Sequence, residues 1–381
     1  MPVIPANIED YRILCKKRLP KFLFEYIDGG SFSETTLRSN SSDFDKIKVR
    51  QRVLRDISTV DTRCNLFGEE YKLPLILGPV GIAGLNARRG EVLAAQAAEE
   101  KKVPFCLSTV GVCTIEEVRK KVENPIWFQL YMIKDRGFMH SILDRAQEAG
   151  TKNLVFTVDM PLPSSRYRDI RSGLSCGSMF RRQSARIYQS MLRPRWAWDV
   201  GLLGRPHNLG NVAPAVGENA GIDEFWTWMN KNFDASVTWK TLETIRDYWK
   251  GNLIIKGILD PRDAIEAKKL GADGLIVSNH GGRQLDGALS SISALPQIVD
   301  ALDGEIPAIL DGGVRTGLDI VRAVASGASA VMIGRPWVYG LGARKKQGVL
   351  DIISILENEM RVAMGLSGNT CMADLNREML V

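Results

Sequence analysis

Eight short apolar runs, each closing on a glycine or a polar residue, limit what this chain can fold into more than any other feature. They are Leu73–Gly78, Phe105–Thr109, Ile126–Tyr131, Leu154–Asp159, Leu253–Gly257, Gly274–His280, Ala308–Gly313 and Ala330–Gly334. Between most of them lies a stretch with helical spacing, namely Glu91–Lys101, Ile115–Lys121, Met139–Ala149, Pro261–Leu270 and Leu318–Ser326. Strands apolar at nearly every position are buried on both faces, and their alternation with amphipathic helices makes them parallel. Eight such units predict an α/β fold, a (β/α)8 TIM barrel rather than an open doubly wound sheet. No Gly-x-Gly-x-x-Gly turn follows an early run and no Gly-Lys-Ser/Thr loop occurs, which argues further against the open sheet.

A barrel takes roughly 250 residues, and the chain has 381. The surplus falls in two places. Residues 1–60 read as a helical cap, with helices at Ile8–Arg18 and Phe22–Tyr26. The other excess lies between Asp159 and Leu253, where one barrel helix, Trp239–Tyr248, occupies the far end. The predicted organisation is therefore a single domain, 1–381. The barrel occupies 61–171 and 236–370, and residues 172–235 are an insertion in the loop after strand four.

The net charge of +6 is concentrated near that insertion. Residues 166–206 hold nine arginines against Asp169 and Asp199, with Trp196 and Trp198 among them. Basic charge interleaved with Trp, Leu and Met suits an anionic membrane surface. Leu73–Ala87, the longest uncharged stretch, contains two prolines and is shorter than the ~20 residues a bilayer requires. The start, Met1-Pro2-Val3-Ile4-Pro5, has no basic segment followed by an apolar core. A protein that stays in the cytoplasm is expected, with attachment to a membrane surface open. Six cysteines form no Cys-x-x-Cys pair and histidines number three, so no metal site is indicated.

Polar residues just past the C-terminal ends of barrel strands are expected to be functional. Strand three ends Gln129-Leu130-Tyr131, strand four Thr157-Val158-Asp159 and strand five Lys256-Gly257. Strand six ends Ser278-Asn279-His280-Gly281-Gly282-Arg283, which puts a histidine at the mouth as a catalytic base. His140, on a helix, and His207, in the insertion, read as structural or solvated. Asp311-Gly312-Gly313-Val314-Arg315 and Gly334-Arg335 follow strands seven and eight, where barrels commonly bind a phosphate through backbone N–H groups.

Ser-Asn-His-Gly-Gly-Arg-Gln at 278–284 resembles the signature of the FMN-dependent L-2-hydroxy-acid dehydrogenase and oxidase family. Leu-Pro-Lys at 19–21, Gln-Leu-Tyr at 129–131, Thr-Val-Asp at 157–159, Ile-Lys-Gly at 255–257 and Asp-Gly-Gly-Val-Arg at 311–315 agree in order. The resemblance runs from about residue 7 to 370. Phe-Leu-Phe-Glu-Tyr-Ile-Asp-Gly-Gly at 22–30, Ala-Arg-Arg-Gly-Glu-Val at 87–92, Arg-Tyr-Arg-Asp at 166–169 and Trp-Ala-Trp-Asp-Val-Gly at 196–201 are most similar to the bacterial respiratory L-lactate branch.

The resemblance implies non-covalent FMN. It puts Ser108, Gln129, Thr157, Lys256 and Ser278 on the ring or ribityl chain, and Asp311, Gly313, Arg315, Gly334 and Arg335 on ribityl and phosphate. It puts the substrate carboxylate on Arg283, aided by Tyr26, Tyr131 and Arg166. His280 is then the base, Asp159 steadies its imidazolium, and Lys256 holds negative charge developing on the flavin. Two departures stand out. Pro79-Val80-Gly81 replaces the Pro-Thr-Ala of many relatives, and Val110 stands where short-chain oxidases often carry Trp, which weakens any assignment to glycolate.

The implied reaction is oxidation of L-lactate to pyruvate, with electrons passing to the respiratory chain through a membrane quinone or another external acceptor. The alternatives are a mandelate dehydrogenase and a hydrogen-peroxide-producing oxidase on the same scaffold. A non-redox barrel using its arginine stripe on nucleic acid is disfavoured. A homotetramer is the assembly the resemblance suggests.

Overall fold

The computed structural model of the protein describes residues 4–175, 177–217 and 221–381. The chain starts with helices α1 (Ile8–Arg18), α2 (Lys21–Asp28) and α3 (Thr35–Ser42), then a 3-10 turn, Asp43–Lys46. Asn7 caps α1 by accepting from the Asp10 N–H. Residues 47–63 carry no helix, so the helical part of the cap ends well before residue 60. A hairpin follows, β1 (Cys64–Leu66) and β2 (Glu69–Tyr71), paired antiparallel.

Eight strands then form one parallel sheet: β3 (Leu75–Leu77), β4 (Cys106–Ser108), β5 (Trp127–Tyr131), β6 (Asn153–Thr157), β7 (Asn252–Ile258), β8 (Gly274–Val277), β9 (Ala308–Asp311) and β10 (Ala330–Ile333). The order is β3-β10-β9-β8-β7-β6-β5-β4. A parallel bridge between Leu77 and Phe105 joins its two ends. The sheet is thus a (β/α)8 barrel, built from the eight apolar runs. Each is buried because helices cover the outside and side chains fill the inside.

The covering helices are α4 (Gly90–Glu100), α5 (Ile115–Arg119), α6 (Arg136–Glu148), then α7 (Tyr167–Ser172) and α8 (Met179–Met191) beyond β6. Short α9 (Pro194–Trp196) and α10 (Ala213–Val216) lead to α11 (Ile222–Asn232) and α12 (Trp239–Tyr248). α13 (Pro261–Lys269), α14 (Ser291–Leu302), α15 (Gly317–Ala325) and α16 (Arg335–Leu366) complete the barrel. The segment 172–235 therefore carries helices of its own rather than an extended loop. α8 buries none of its residues.

The barrel interior near the strand starts is filled by Ile76, Cys106, Trp127, Val155, Ile254, Ile276, Ile309 and Met332, with Leu66 and Phe67 of the hairpin packed among them. A Cβ on Gly274, the first residue of β8, would lie 2.8 Å from the Phe67 ring. Phe67 also meets the ring of Trp127, first residue of β5, edge-on at 5.6 Å. The hairpin stoppers the N-terminal end. The C-terminal end is left for chemistry.

The arginine-rich segment is less free than its composition suggests. Trp196 is buried, donates from Nε1 to the Leu85 carbonyl at 2.8 Å and packs edge-on against Phe22. Arg168 pairs with Glu25, Asp28 and Glu34, Arg182 and Arg186 pair with Asp223, and Arg193 donates to the Leu19 carbonyl. Arg171, Arg181, Arg195 and Arg205 stay exposed. Trp196 is thus a core residue and not a membrane anchor, whereas Trp198 is 63% exposed.

Candidate active site

His280 lies three residues past β8 with φ 59°, followed by Gly281 at 65° and Gly282 at 70°. A histidine in this left-handed region costs ~1–3 kcal/mol, and such strain collects at functional sites. The turn is held from both sides. The His280 N–H donates to Ser278 Oγ at 3.0 Å, and the Gly282 carbonyl accepts from the Ser31 N–H of the cap at 2.9 Å.

The His280 Nδ1 is 2.8 Å from Asp159 Oδ1, just past β6. Burial acts to raise the Asp159 carboxyl, but His280 and Lys256 outweigh it and hold it below the ordinary range. An ionised carboxylate only accepts, so the proton sits on Nδ1 and Nε2 is left basic. Burial draws the His280 imidazole below its ordinary value. Asp159 opposes this, while Lys256 and Arg166 add to it. The balance favours the neutral ring, whose Nε2 can accept a proton.

Lys256 Nζ lies 2.9 Å from Asp311 Oδ2 and 2.9 Å from Ser278 Oγ, and Ser278 in turn donates to Asp311 at 2.7 Å. Burial alone would lower the Lys256 ammonium, but Asp311 and Asp159 raise it, so the cation persists. On the other side of His280 are two guanidiniums. Arg283 has its Cζ 4.8 Å from the Tyr26 ring centre and donates from one nitrogen to the Tyr26 and Gly29 carbonyls. Arg166 donates to the Arg283 carbonyl at 3.3 Å and reaches Asp169 only at 3.8 Å. Burial and the neighbouring Arg283 pull the Arg166 guanidinium down to about 10. Two half-buried like charges lining one cavity favour an anion between them.

A second cationic end is built at the start of α16. Gly334 is its N-cap and lacks a side chain to satisfy the first-turn N–H groups, which therefore suit an anion. Arg335 donates to the Ile27, Gly281 and Gly29 carbonyls, tying α2 to the mouth. Burial, Arg283 and Arg315 pull it down to about 10 despite Tyr339 and Asp28. Gly313 has φ 87°, and a Cβ there would lie 1.9 Å from the Asn40 carbonyl oxygen. Only glycine fits between cap and mouth at that point.

One cavity runs between these ends. It is lined by Tyr26, Tyr131, Thr157, Arg166, Lys256, His280, Arg283, Asp311, Gly313, Arg315, Gly334 and Arg335, all expected from the sequence. Asp159 stands behind His280. Ser108, Gln129 and Ser278 also stand one layer back. Ser108 donates to Gln129 and Gln129 to Thr157, both at 3.0 Å, while Ser278 acts through Lys256 and Asp311. The wall also contains Val80 and Val110, the two departures read from the sequence, together with Met160, Trp226 and Met229, which sequence reasoning left without a site role. Trp226 and Met229 come from α11, inside the insertion, where an apolar residue carries no sign of facing a pocket.

Comparison with known proteins follows from this geometry. The sequence model of FMN-dependent dehydrogenases matches residues 15–381. L-lactate dehydrogenase of Vibrio cholerae serotype O1 is 55% identical over 372 residues, covering 98% of each chain. L-lactate dehydrogenase of Caulobacter sp. strain K31 is 54% identical over 378 residues, covering 99% of each. Among solved structures, the monotopic membrane protein (S)-mandelate dehydrogenase superposes with a TM-score of 0.92 at 33% identity, covering 100% of both chains. A mandelate oxidase gives 0.85 at 32%, covering 99% of this chain and 98% of its own.

Proposed function

We infer what this chain does from one premise, that it belongs to the FMN-dependent dehydrogenase family. We propose that it oxidises L-lactate to pyruvate, the substrate giving up two electrons and two protons. The observation that carries the reading is a histidine–carboxylate pair beside two half-buried arginines that line the same cavity as the histidine. The full-length likeness to L-lactate dehydrogenases supports the choice of acid. The likeness to mandelate enzymes is one of scaffold.

The residues fit FMN. Arg315, Arg335, Gly313, Gly334 and Asp311 would hold its phosphate and ribityl end, where unneutralised cations and a glycine cradle meet a helix start. Thr157 and Lys256, backed by Ser108, Gln129 and Ser278, would hold its ring end. Bound FMN supplies the two-electron acceptor. Arg283 and Arg166 bind the substrate carboxylate, with Tyr26 and Tyr131 against it. His280 Nε2 takes a substrate proton, and Asp159 steadies the imidazolium that results. Lys256 is the fixed cation that offsets negative charge developing beside it.

The acceptor we propose is a membrane quinone, reached from the surface of an anionic bilayer on the cytoplasmic side by a peripheral homotetramer. Among the described residues no helix is long and apolar enough to cross a membrane. What supports a surface contact is α8 and the turn after it. Phe180, Ile187, Tyr188, Met191, Trp198 and Leu202 are all at least half exposed beside four exposed arginines.

Mixing the holoenzyme without oxygen with L-lactate, D-lactate or (S)-mandelate tests the activity. L-lactate should bleach the visible flavin band fastest. Faster bleaching by (S)-mandelate would transfer the assignment to that acid, and no bleaching by any of them would overturn it.

A further inference from the structure

A carboxylate joins α8, which buries none of its residues, to the helix that walls the active-site cavity. Asp223, in the first turn of α11, takes both Arg182 and Arg186 from α8, at 3.1 and 2.5 Å. All three side chains are no more than 20% exposed. Arg182 and Arg186 lie four apart on one face of α8, while Phe180, Ile187, Tyr188 and Met191 point outward. Three and six residues beyond Asp223, on the same helix, Trp226 and Met229 line the cavity. The Trp226 ring meets Tyr26 edge-on, with 6.4 Å between centres, and Tyr26 lies under Arg283. α8 is itself fixed to the body. Gln189 accepts from the Phe22 N–H at 2.7 Å and donates to the Ser172 carbonyl at 2.9 Å.

We propose that Asp223 is a positioning residue for substrate binding. Gripped by Arg182 and Arg186, it holds α11 so that Trp226 and Met229 close the cavity over the side chain of a short 2-hydroxy acid. The argument is mechanical. Neither Trp226 nor Met229 carries chemistry, and Val110 on the same cavity wall is small, so the width of the pocket depends on where α11 sits. An ion pair with both partners mostly removed from water is held more firmly than a surface pair. Loss of one partner strands the two cations and frees the helix. His280, Asp159, Arg283 and Arg166, which take the proton and bind the carboxylate, lie just past β8 and β6 and at the N-cap of α7, outside α11.

This inference rests on the reading of the cavity as a 2-hydroxy-acid site, and lipid plays no part in its test. Asp223→Asn, Asp223→Glu and the pair Arg182→Gln/Arg186→Gln are compared with wild type as holoenzymes in detergent-free buffer. KM and limiting rate of flavin reduction are measured for L-lactate and for (S)-mandelate. Quenching of tryptophan fluorescence by oxalate, an unreactive dicarboxylate, provides a binding readout independent of turnover.

Asp223→Asn and the double arginine variant should raise KM for L-lactate roughly tenfold, the equivalent of ~1.4 kcal/mol. Limiting rate should stay within about twofold, preference should shift toward the bulkier acid, and Asp223→Glu should restore most of the loss. The oxalate dissociation constant should rise in parallel. A fall in limiting rate with KM unchanged, no change at all, or no rescue by Glu would overturn the inference. If Asp223→Asn loses its flavin or its fold, the arginine pair decides. A wild type that neither acid reduces sinks the functional reading together with this one. A normal wild type with unaltered variants sinks this one alone.

Discussion

His280 concentrates the site's demands on a single residue. It needs a left-handed backbone, an unprotonated ring and a carboxylate at Nδ1, and the chain supplies each from a different element. His280→Gln should keep bound FMN and lose at least 10³-fold in the rate of reduction by L-lactate, measured by stopped-flow absorbance. The pH dependence has a definite sign. As the proposed base, His280 works only unprotonated, and burial lowers its value from the ordinary ~6.5. The acid limb of the rate profile should therefore lie below pH ~6.5, with activity lost as pH falls through it. Asp159→Asn removes both influences that raise that value, so the limb should move to still lower pH while the maximal rate drops. An upward move would mean that Asp159 does not act on His280 as assigned. Arg283→Lys keeps the charge but loses the planar pair of donors, so KM for L-lactate should rise about tenfold to a hundredfold. Steady-state constants equal to wild type would transfer the carboxylate to Arg166 alone.

At the scale of elements, exposed α8 makes a separate commitment. Replacing Phe180, Ile187, Tyr188 and Met191 together by serine touches no buried side chain. It should release the protein from anionic vesicles in co-sedimentation while lactate-driven bleaching persists. The four exposed arginines should contribute ~1 kcal/mol each, so high salt should partly release the wild type. A wild type that never sediments would remove the lipid surface from the proposal. Elements also differ in how legible they were. β3 to β10 were readable because burial on both faces forces an unbroken apolar run. The hairpin was missed because β1 and β2 are three residues each, and β2 has no fully buried position. α14 was missed because Pro296 interrupts it and it opens Ser-Ile-Ser, which reads as a turn. The polar cavity-lining residues at strand ends were legible because position past a barrel strand points to the mouth. Trp226 and Met229 were not, because their part in the pocket depends on where α11 docks.

The molecule as a whole is tied together at the place where cofactor is expected. Arg335 and Arg283 hold the carbonyls of α2, Asn40 and Asn279 exchange side-chain hydrogen bonds at 2.8 and 2.7 Å, and these links carry the cap onto the barrel. FMN binding should therefore stabilise the fold, by ~2.7 kcal/mol at a hundredfold excess over Kd. Arg315→Gln, whose side chain among the described residues donates to its neighbour's carbonyl, should leave the melting temperature of the FMN-free protein near wild type and shrink the rise on adding FMN. An undiminished rise would place the phosphate elsewhere. The stoppered end of the barrel has a kinetic corollary. With Phe67 seated among the first residues of the strands, the lower end is blocked, and donor and acceptor are expected to take turns at the strand-end mouth. Double-reciprocal plots at several acceptor concentrations should then be parallel lines, and each partner in excess should obstruct the other.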